Sequence, residues 1–401
     1  MLNGKNILLG VTGSIAAYKI TGLITALKKL GAEVNIIMTK NATEIITPLT
    51  MERLSGNKCI VDTFDKNVQY SVKHISLAES ADIVMLAPAT ANIIGKIACG
   101  IADDMLTTTI MACKCPIYIS PAMNTNMYEN PIVQNNIKRL KNFGYNIIEP
   151  AIGRLACGTE GTGKMPEPEI LLDYIINELA HEKDMLGKRV IVTAGATCED
   201  IDPVRFITNH STGKMGFAIA SACARRGAQV TIIKAATTAP IPNFVDIVNV
   251  TSAQDMFEAV RERFDNCDIV IKAAAVADYT PVNVAADKVK KQEGDMKIEL
   301  KRTQDILKWL GEHKKNQYLC GFSMETQNML ENSQKKLISK KVDMIVANNL
   351  KVKGAGFGTD TNIATIITKN GVTELPIMSK DELANKILDI IQLFAKDKFC
   401  E

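Results

Sequence analysis

The chain has no apolar run approaching the roughly 20 residues that a membrane-spanning helix needs. Its ten cysteines contain no CxxC pair. It also lacks a dominant charge sign, because 47 Lys and Arg face 44 Asp and Glu. The first absence argues against a membrane protein. The second argues against a zinc site built from two ligand pairs, although Cys113 and Cys115 form a C-x-C step. The third is unlike a dedicated nucleic-acid binder. No h-region with a small-residue cleavage site opens the sequence, which runs directly into the strand-like Ile7–Val11. A cytoplasmic protein with reduced thiols is expected.

What is present is a chain of 401 residues, too long for one ordinary core, with 46% apolar and 23% charged residues. About two soluble globular domains is the natural reading. The basic excess is local, in Lys288–Lys291 and Lys335–Lys341. Such clusters are solvated faces or seats for a small polyanion such as a triphosphate.

The first half repeats a short apolar run, a small-residue turn and an amphipathic stretch. Ile7–Val11 leads through Thr12-Gly13-Ser14 into a helix-like Ile15–Leu30, and Val34–Met38, Ile83–Ala87 and Ile117–Ser120 read as buried strands. Strands alternating with helices predict an α/β fold with a parallel, flavodoxin-like sheet. The grammar restarts at Arg189–Thr193, followed by strand-like Val230–Ile233, Ile269–Ala273 and Met344–Ala347. This predicts a second, Rossmann-like nucleotide-binding domain. Leu171–Leu179 reads as a closing helix and His181–Asp184 as a linker, so the domains are expected to span 1–184 and 185–401.

Gly10–Ser14 joins a strand to a helix with Gly, Thr and Ser, a pattern suited to gathering backbone N–H groups and hydroxyls on a phosphate. A capped tight turn would look the same, and the three-glycine dinucleotide fingerprint is absent. More specific are Pro121–Tyr128 (Pro-Ala-Met-Asn-Thr-Asn-Met-Tyr), Ala87–Asn92 (Ala-Pro-Ala-Thr-Ala-Asn), His74 in Val-Lys-His-Ile-Ser, and a Gly-rich stretch Gly153–Pro168 around Cys157. On these residues, positions 1–180 resemble the flavin-containing cysteine decarboxylases, most closely the phosphopantothenoylcysteine branch. The resemblance implies FMN, held by Thr12, Gly13, Ser14, Thr39, Ala89 and Thr90. It implies His74 as base or substrate positioner, Asn124 as holder of the substrate carboxylate, and Cys157 as donor of the final proton. Taken alone, each of these three has a structural explanation; their order along the chain carries the reading. Tyr128 stands where the family motif has Trp, and Thr90 where it has Ser. Gly158–Lys164 mimics a P-loop, but residue 165 is Met rather than Ser or Thr, and prolines follow.

In the second half, Asp202–Gly216 runs into a helix-like Phe217–Arg226, Ala273–Tyr279 follows an apolar strand, and Gly321–Thr326 leads into a helical stretch bearing Lys336 and Lys340 one turn apart. These segments resemble the phosphopantothenate–cysteine ligases over roughly residues 186–396. The CTP-using branch implies nucleotide contacts from Asp278, Lys288, Gln304, Asp305, Ile306, Leu307, Phe322, Lys336 and Lys340. In it, Lys288 stabilises charge during attack on the α-phosphate, and Asn209 holds the acyl-cytidylate. Mg2+ is expected with the triphosphate, with its ligands unassigned. Gly354–Gly358 fails as a dinucleotide loop, since strand-like Asn362–Thr368 follows it.

Together the resemblances imply an enzyme that joins 4′-phosphopantothenate to L-cysteine with CTP and then decarboxylates the product. A homododecamer of trimeric decarboxylase and dimeric ligase units is implied, with neither nucleic acid nor membrane as partner. Rival readings are a non-enzymatic phosphatase-inhibitor relative and a flavoprotein of other specificity. The ligase-like second half argues against both.

Overall fold

A computed structural model describes residues 1–63, 73–156, 158–290, 296–325, 329–349 and 358–399. The chain divides into two compact units, Met1–Glu182 and Lys183–Glu401.

The first unit is built on strands β1 (Asn6–Val11), β2 (Glu33–Met38), β3 (Ile83–Ala89), β4 (Ile117–Pro121) and β5 (Asn146–Ile147), in the order 2-1-3-4-5 with every pairing parallel. This is the flavodoxin-like order, which places a ligand cleft beyond the carboxyl ends of β1 and β3. Alternation along β1 decides the layers. Ile7 and Leu9 enter one buried cluster with Leu23, Ile24 and Leu171, while Leu8 enters another with Ile93, Leu106 and Ile137. A sheet buried on both faces explains why its strands read as continuous apolar runs. The expected first helix is a 3₁₀ turn, Ile15–Lys19, that passes into the α-helix Ile20–Lys29.

The stretch that mimics a P-loop is part of a hairpin. Strand β6 (Ala151–Arg154) pairs antiparallel with β7 (Glu160–Lys164). Gly163, at φ +134°, lies so close to the Asn124 loop that a Cβ there would stand 2.3 Å from the Met123 carbonyl oxygen. Its own carbonyl accepts from the Met123 N–H at 3.0 Å. Glycine is therefore used in this segment to dock a hairpin, a requirement unrelated to cradling phosphate.

The second unit adds β8 (Arg189–Ala194), β9 (Cys198–Asp200), β10 (Phe206–Thr208), β11 (Gln229–Lys234), β12 (Asp246–Asn249), β13 (Ile269–Lys272), β14 (Tyr279–Pro281), β15 (Leu300–Arg302), β16 (Tyr318–Glu325), β17 (Met344–Asn349), β18 (Thr361–Asn362), β19 (Ala364–Thr368) and β20 (Gly371–Glu374). Its main sheet runs 12-11-8-13-16-17-19-20. It is parallel through β17 and antiparallel at β19 and β20. Two buried clusters again cover its faces, one with Val192, Ile271 and Cys320, the other with Ile191, Val270 and Leu319. Arg226, only 6% exposed, meets Asp389 at 2.8 Å on the C-terminal helix Lys380–Phe399 and also pairs with Asp184. Among the described residues no helix is long and apolar enough to cross a membrane.

Candidate functional sites

In the first unit a cavity of about 750 Å3 opens where β1, β2 and β3 end, within the usual range of ligand pockets. Thr12, Gly13, Thr39 and Thr90 all line it, so four of the six expected flavin residues meet there. Thr12 anchors the rim: its Oγ1 donates to the Pro88 carbonyl at 2.7 Å and accepts from the Thr90 N–H at 3.1 Å. Thr90 in turn caps the helix Ala91–Ala98. A Cβ on Gly13 would come within 2.6 Å of Asn41 Cβ, so only glycine lets the β1 turn lie against the turn after β2. Ala89 is fully buried in the core and can reach a ligand only through its backbone. Ser14 faces a different cavity.

One cation in the larger cavity is firmly neutralised. Lys96 Nζ meets Asp103 at 2.7 Å and Asp104 at 3.3 Å. The hydrogen bond it donates to Asp103 raises the lysine's pKa above its usual value despite partial burial. Burial would raise Asp104, but hydrogen bonds from the Thr107 N–H and hydroxyl and from Lys96 hold its carboxyl below the usual range. The remaining polar lining is largely hydroxyl and amide. That donor set, at the end of a flavodoxin-order sheet, fits FMN.

The second cavity, about 630 Å3, is lined by Ser14, Tyr18, Lys19, Asn124, Arg154, Lys164 and Glu167 among others. Asn124 begins the short helix Thr125–Tyr128, its Oδ1 accepting from the Asn126 N–H at 2.9 Å. Lys19 and Lys164 both converge on Glu167, at 2.8 and 3.3 Å. Tyr128, in the place of the motif's Trp, is nearly buried and donates to Glu149 at 3.1 Å. Cys157 lies outside the described residues. His74, on the helix Lys73–Ser80, is half-buried and lines neither cavity. The expected grouping of His74 with Asn124 is therefore not formed around either cavity within one chain.

In the second unit a cavity of about 290 Å3 lies beyond the ends of β8, β13 and β16. It brings together Asn209, Asp278 and Phe322 of the expected residues. It also contains five that sequence reasoning missed, namely Ser211, Lys272, Asn348, Asn362 and Lys380. Asn209 Nδ2 donates to the Ala275 carbonyl at 3.3 Å. The helix Lys214–Arg225 opens into the cavity behind Gly213, whose φ of +77° and tight fit against Thr237 exclude a side chain. Its first-turn N–H groups point out of the helix end, where the macrodipole favours anions. Lys214 at this end pairs with Asp360 at 2.7 Å.

Asp305 caps the helix Ile306–His313 through the Lys308 N–H and pairs with Lys340 at 3.0 Å. Burial would raise its pKa, but the Lys308 N–H and Lys340 hold it below the usual range. Lys336 Nζ donates to Ser323 Oγ at 3.1 Å. Ile306 and Leu307 are core side chains and offer a nucleotide only backbone, whereas Gln304 is exposed. Lys288 is also exposed and does not line the cavity. Its neighbour Val289 is clamped from both sides. The Val289 N–H donates to Asp202 Oδ2 at 3.1 Å, and the Val289 carbonyl accepts from Arg205 at 2.9 Å. Asp202 is buried, and the Arg205 guanidinium holds its carboxyl far below the usual range. Of the loop Gly354–Gly358, only Gly358 is among the described residues. No cluster of three or more His, Cys, Asp or Glu suited to a metal occurs among the described residues.

Residues 1–180 match the family described as Flavoprotein, and residues 185–394 match the DNA/pantothenate metabolism flavoprotein C-terminal domain. The chain is 50% identical over 400 residues to the coenzyme A biosynthesis bifunctional protein CoaBC of Bacillus subtilis (strain 168), with 99% of this chain and 98% of that one covered. For the protein of the same description from Vibrio cholerae the identity is 43% over 393 residues, covering 97% and 98%. A crystal structure of the C-terminal domain of such a bifunctional protein is 46% identical, covers 54% of this chain and 100% of that one, and aligns with a TM-score of 0.47.

Proposed function

Because this chain belongs to the family of bifunctional coenzyme A biosynthesis proteins, we propose that it condenses 4′-phosphopantothenate with L-cysteine at the expense of CTP and decarboxylates the product to 4′-phosphopantetheine. The first unit is the FMN-dependent decarboxylase and the second the ligase. The observation that carries the reading is that both matched halves occur in one chain, since the ligation product is the decarboxylation substrate.

In the decarboxylase, bound FMN would accept two electrons from the cysteinyl thiol carbon, giving the carboxylate's electrons a sink as CO2 leaves, and would return two electrons to the product so that no net oxidation remains. The Thr12, Gly13, Thr39 and Thr90 surface would hold it. Asn124 would orient the carboxylate by amide hydrogen bonds, His74 would position the substrate or accept a proton, and Cys157 would return a proton to carbon. Neither of the two cavities described in the first unit holds both His74 and Asn124, which supports a decarboxylase site completed by a second copy, as in the trimer of the proposed dodecamer. In the ligase, the carboxylate becomes reactive toward an amine only when its oxygen is esterified to a nucleoside monophosphate. Lys288 would stabilise the charge on the α-phosphate, and Asn209 would hold the acyl-cytidylate. Asp278, Phe322, Lys336 and Lys340 would seat the nucleotide with the 304–307 backbone, and Mg2+ would enter with the triphosphate. The protein is proposed to work in the cytoplasm.

The test is an assay of the full chain with 4′-phosphopantothenate, cysteine, CTP and Mg2+. Pyrophosphate and CO2 should appear in equal amounts from a yellow protein. Pyrophosphate released equally well from ATP would overturn the assignment of CTP, and a colourless active protein that of FMN.

A further inference from the structure

One charged residue at the nucleotide cavity is used by none of the roles above. Lys272 ends β13 in a strand that is otherwise apolar, and it lines the cavity with Asp278 and Phe322. Its register fixes its direction. Lys272 pairs with Thr193 on one side and Gly321 on the other. Alternation places it on the face of Val270, not of Ile271. That face is covered by the helices Ile306–His313 and Met329–Ser339, the elements that bring Asp305, Lys336 and Lys340. Gly321 beside it has no side chain, and two residues further along the same face of β16, Ser323 receives Lys336.

We propose that Lys272 is a nucleotide-contacting residue, the third cation of a cradle with Lys336 and Lys340 that grips the polyphosphate of the nucleoside triphosphate. The inference deepens the ligase reading and rests on it.

Three lysines here face two carboxylates, Asp278 and Asp305, and Asp305 is already engaged by Lys340. Lys214 and Lys380 line the same cavity, and Lys214 is paired with Asp360. Among the described residues, lysines therefore outnumber carboxylates around Lys272. Burial, then the nearby Lys340 and, more weakly, Lys336 push the Lys272 ammonium down to about 8, with Asp305 and Asp278 only partly offsetting them. A desolvated cation among like charges destabilises the unit that contains it, and the ordinary reason to retain one is function. A bound polyphosphate would reverse the balance, and the lysine would take up a proton as the anion enters.

The test uses the full chain with Mg·CTP and, separately, inorganic tripolyphosphate as probes, comparing wild type with Lys272→Met and Lys272→Arg. Loss of a charge-assisted contact should weaken both probes in Lys272→Met by roughly 10- to 100-fold, with Lys272→Arg restoring most of it. Calorimetry near pH 8 in buffers of different ionisation enthalpy should show proton uptake by wild type that Lys272→Met lacks. Lys272→Met should melt at or above the wild-type temperature, because it removes a half-buried charge that stands beside like charges, so weak binding cannot be ascribed to misfolding. Unchanged affinity for both probes, or weaker CTP with unchanged tripolyphosphate, would overturn the proposal. A wild type that binds tripolyphosphate but not CTP would instead sink the nucleotide reading and leave Lys272 as an anion ligand.

Discussion

In the first unit both lysines at the large cavity are paired, Lys96 with Asp103 and Asp104 and Lys40 with Asp62, and the rest of the polar rim is hydroxyl and amide. In the second unit Lys272 is held below its ordinary proton affinity first by burial and then by the nearby Lys340 and, more weakly, Lys336. The same sheet architecture thus supports two kinds of recognition. On the proposed assignments, a flavin would be gripped by shape and neutral hydrogen bonds around a glycine turn, and a polyphosphate would be met by clustered lysines and a helix N-terminus. Ionic strength should separate them, because screening weakens exposed charge attraction and leaves buried hydrogen bonds little changed.

The largest effect that sharpens this contrast is expected from Lys288→Gln. Removing the electrostatic group should lower pyrophosphate formation by roughly 10²- to 10³-fold. Decarboxylation of supplied phosphopantothenoylcysteine should be unchanged, as measured by CO2 release. A variant that loses both activities would break the division of labour.

A smaller effect is expected from Asp202→Asn. The carboxylate holds Val289 through its N–H and fixes Arg205, which holds the Val289 carbonyl. Weakening the clamp frees the segment next to Lys288, so kcat of ligation should fall by about tenfold while KM for the nucleotide moves little. Adding salt should not mimic this change. The depressed carboxyl also gives a sign for pH. Because its folded pKa lies below the unfolded value, its stabilisation is present at neutral pH and is lost progressively as pH falls below the ordinary carboxylate range of about 4. Wild type should therefore lose more stability on acidification than Asp202→Asn, as read by thermal melting.

Smallest is Thr12→Val. It removes a hydroxyl that joins the Pro88 carbonyl to the Thr90 N–H, both at the flavin rim. Unsatisfied buried partners cost about 1–3 kcal/mol, so the chain should melt lower and release its flavin faster, with ligation unaffected.

Much of this architecture was legible in the sequence because both sheets are covered on two faces. Apolar runs such as Ile7–Val11 and Arg189–Thr193 then stand out from the helices between them. Strand β16 was missed as a strand. Its Gly-Phe-Ser-Met-Glu segment reads only as leading into a helix, whereas the early residues of the strand are core and its carboxyl end is the cavity wall. Thr12, Gly13 and Thr90, named by the family resemblance, do meet at one cavity, because the turns that follow parallel strands open at the same end of the sheet. Lys272, by contrast, was hidden. A single lysine ending an apolar strand looks like a strand terminus until register shows which face it shares with Lys336 and Lys340. Residues 158–164 are rightly set aside as a phosphate loop on Met165 and the prolines after it, and their glycine spacing suits a hairpin docked against Met123.

The account rests on two chemically independent sites in one chain, and His74→Asn tests it most directly. Supplied with 4′-phosphopantothenate, cysteine, CTP and Mg2+, this variant should form pyrophosphate at the wild-type rate and accumulate phosphopantothenoylcysteine, its CO2 release cut by roughly 10²-fold or more. Equal loss of pyrophosphate and CO2, in a variant that still binds its flavin, would contradict it.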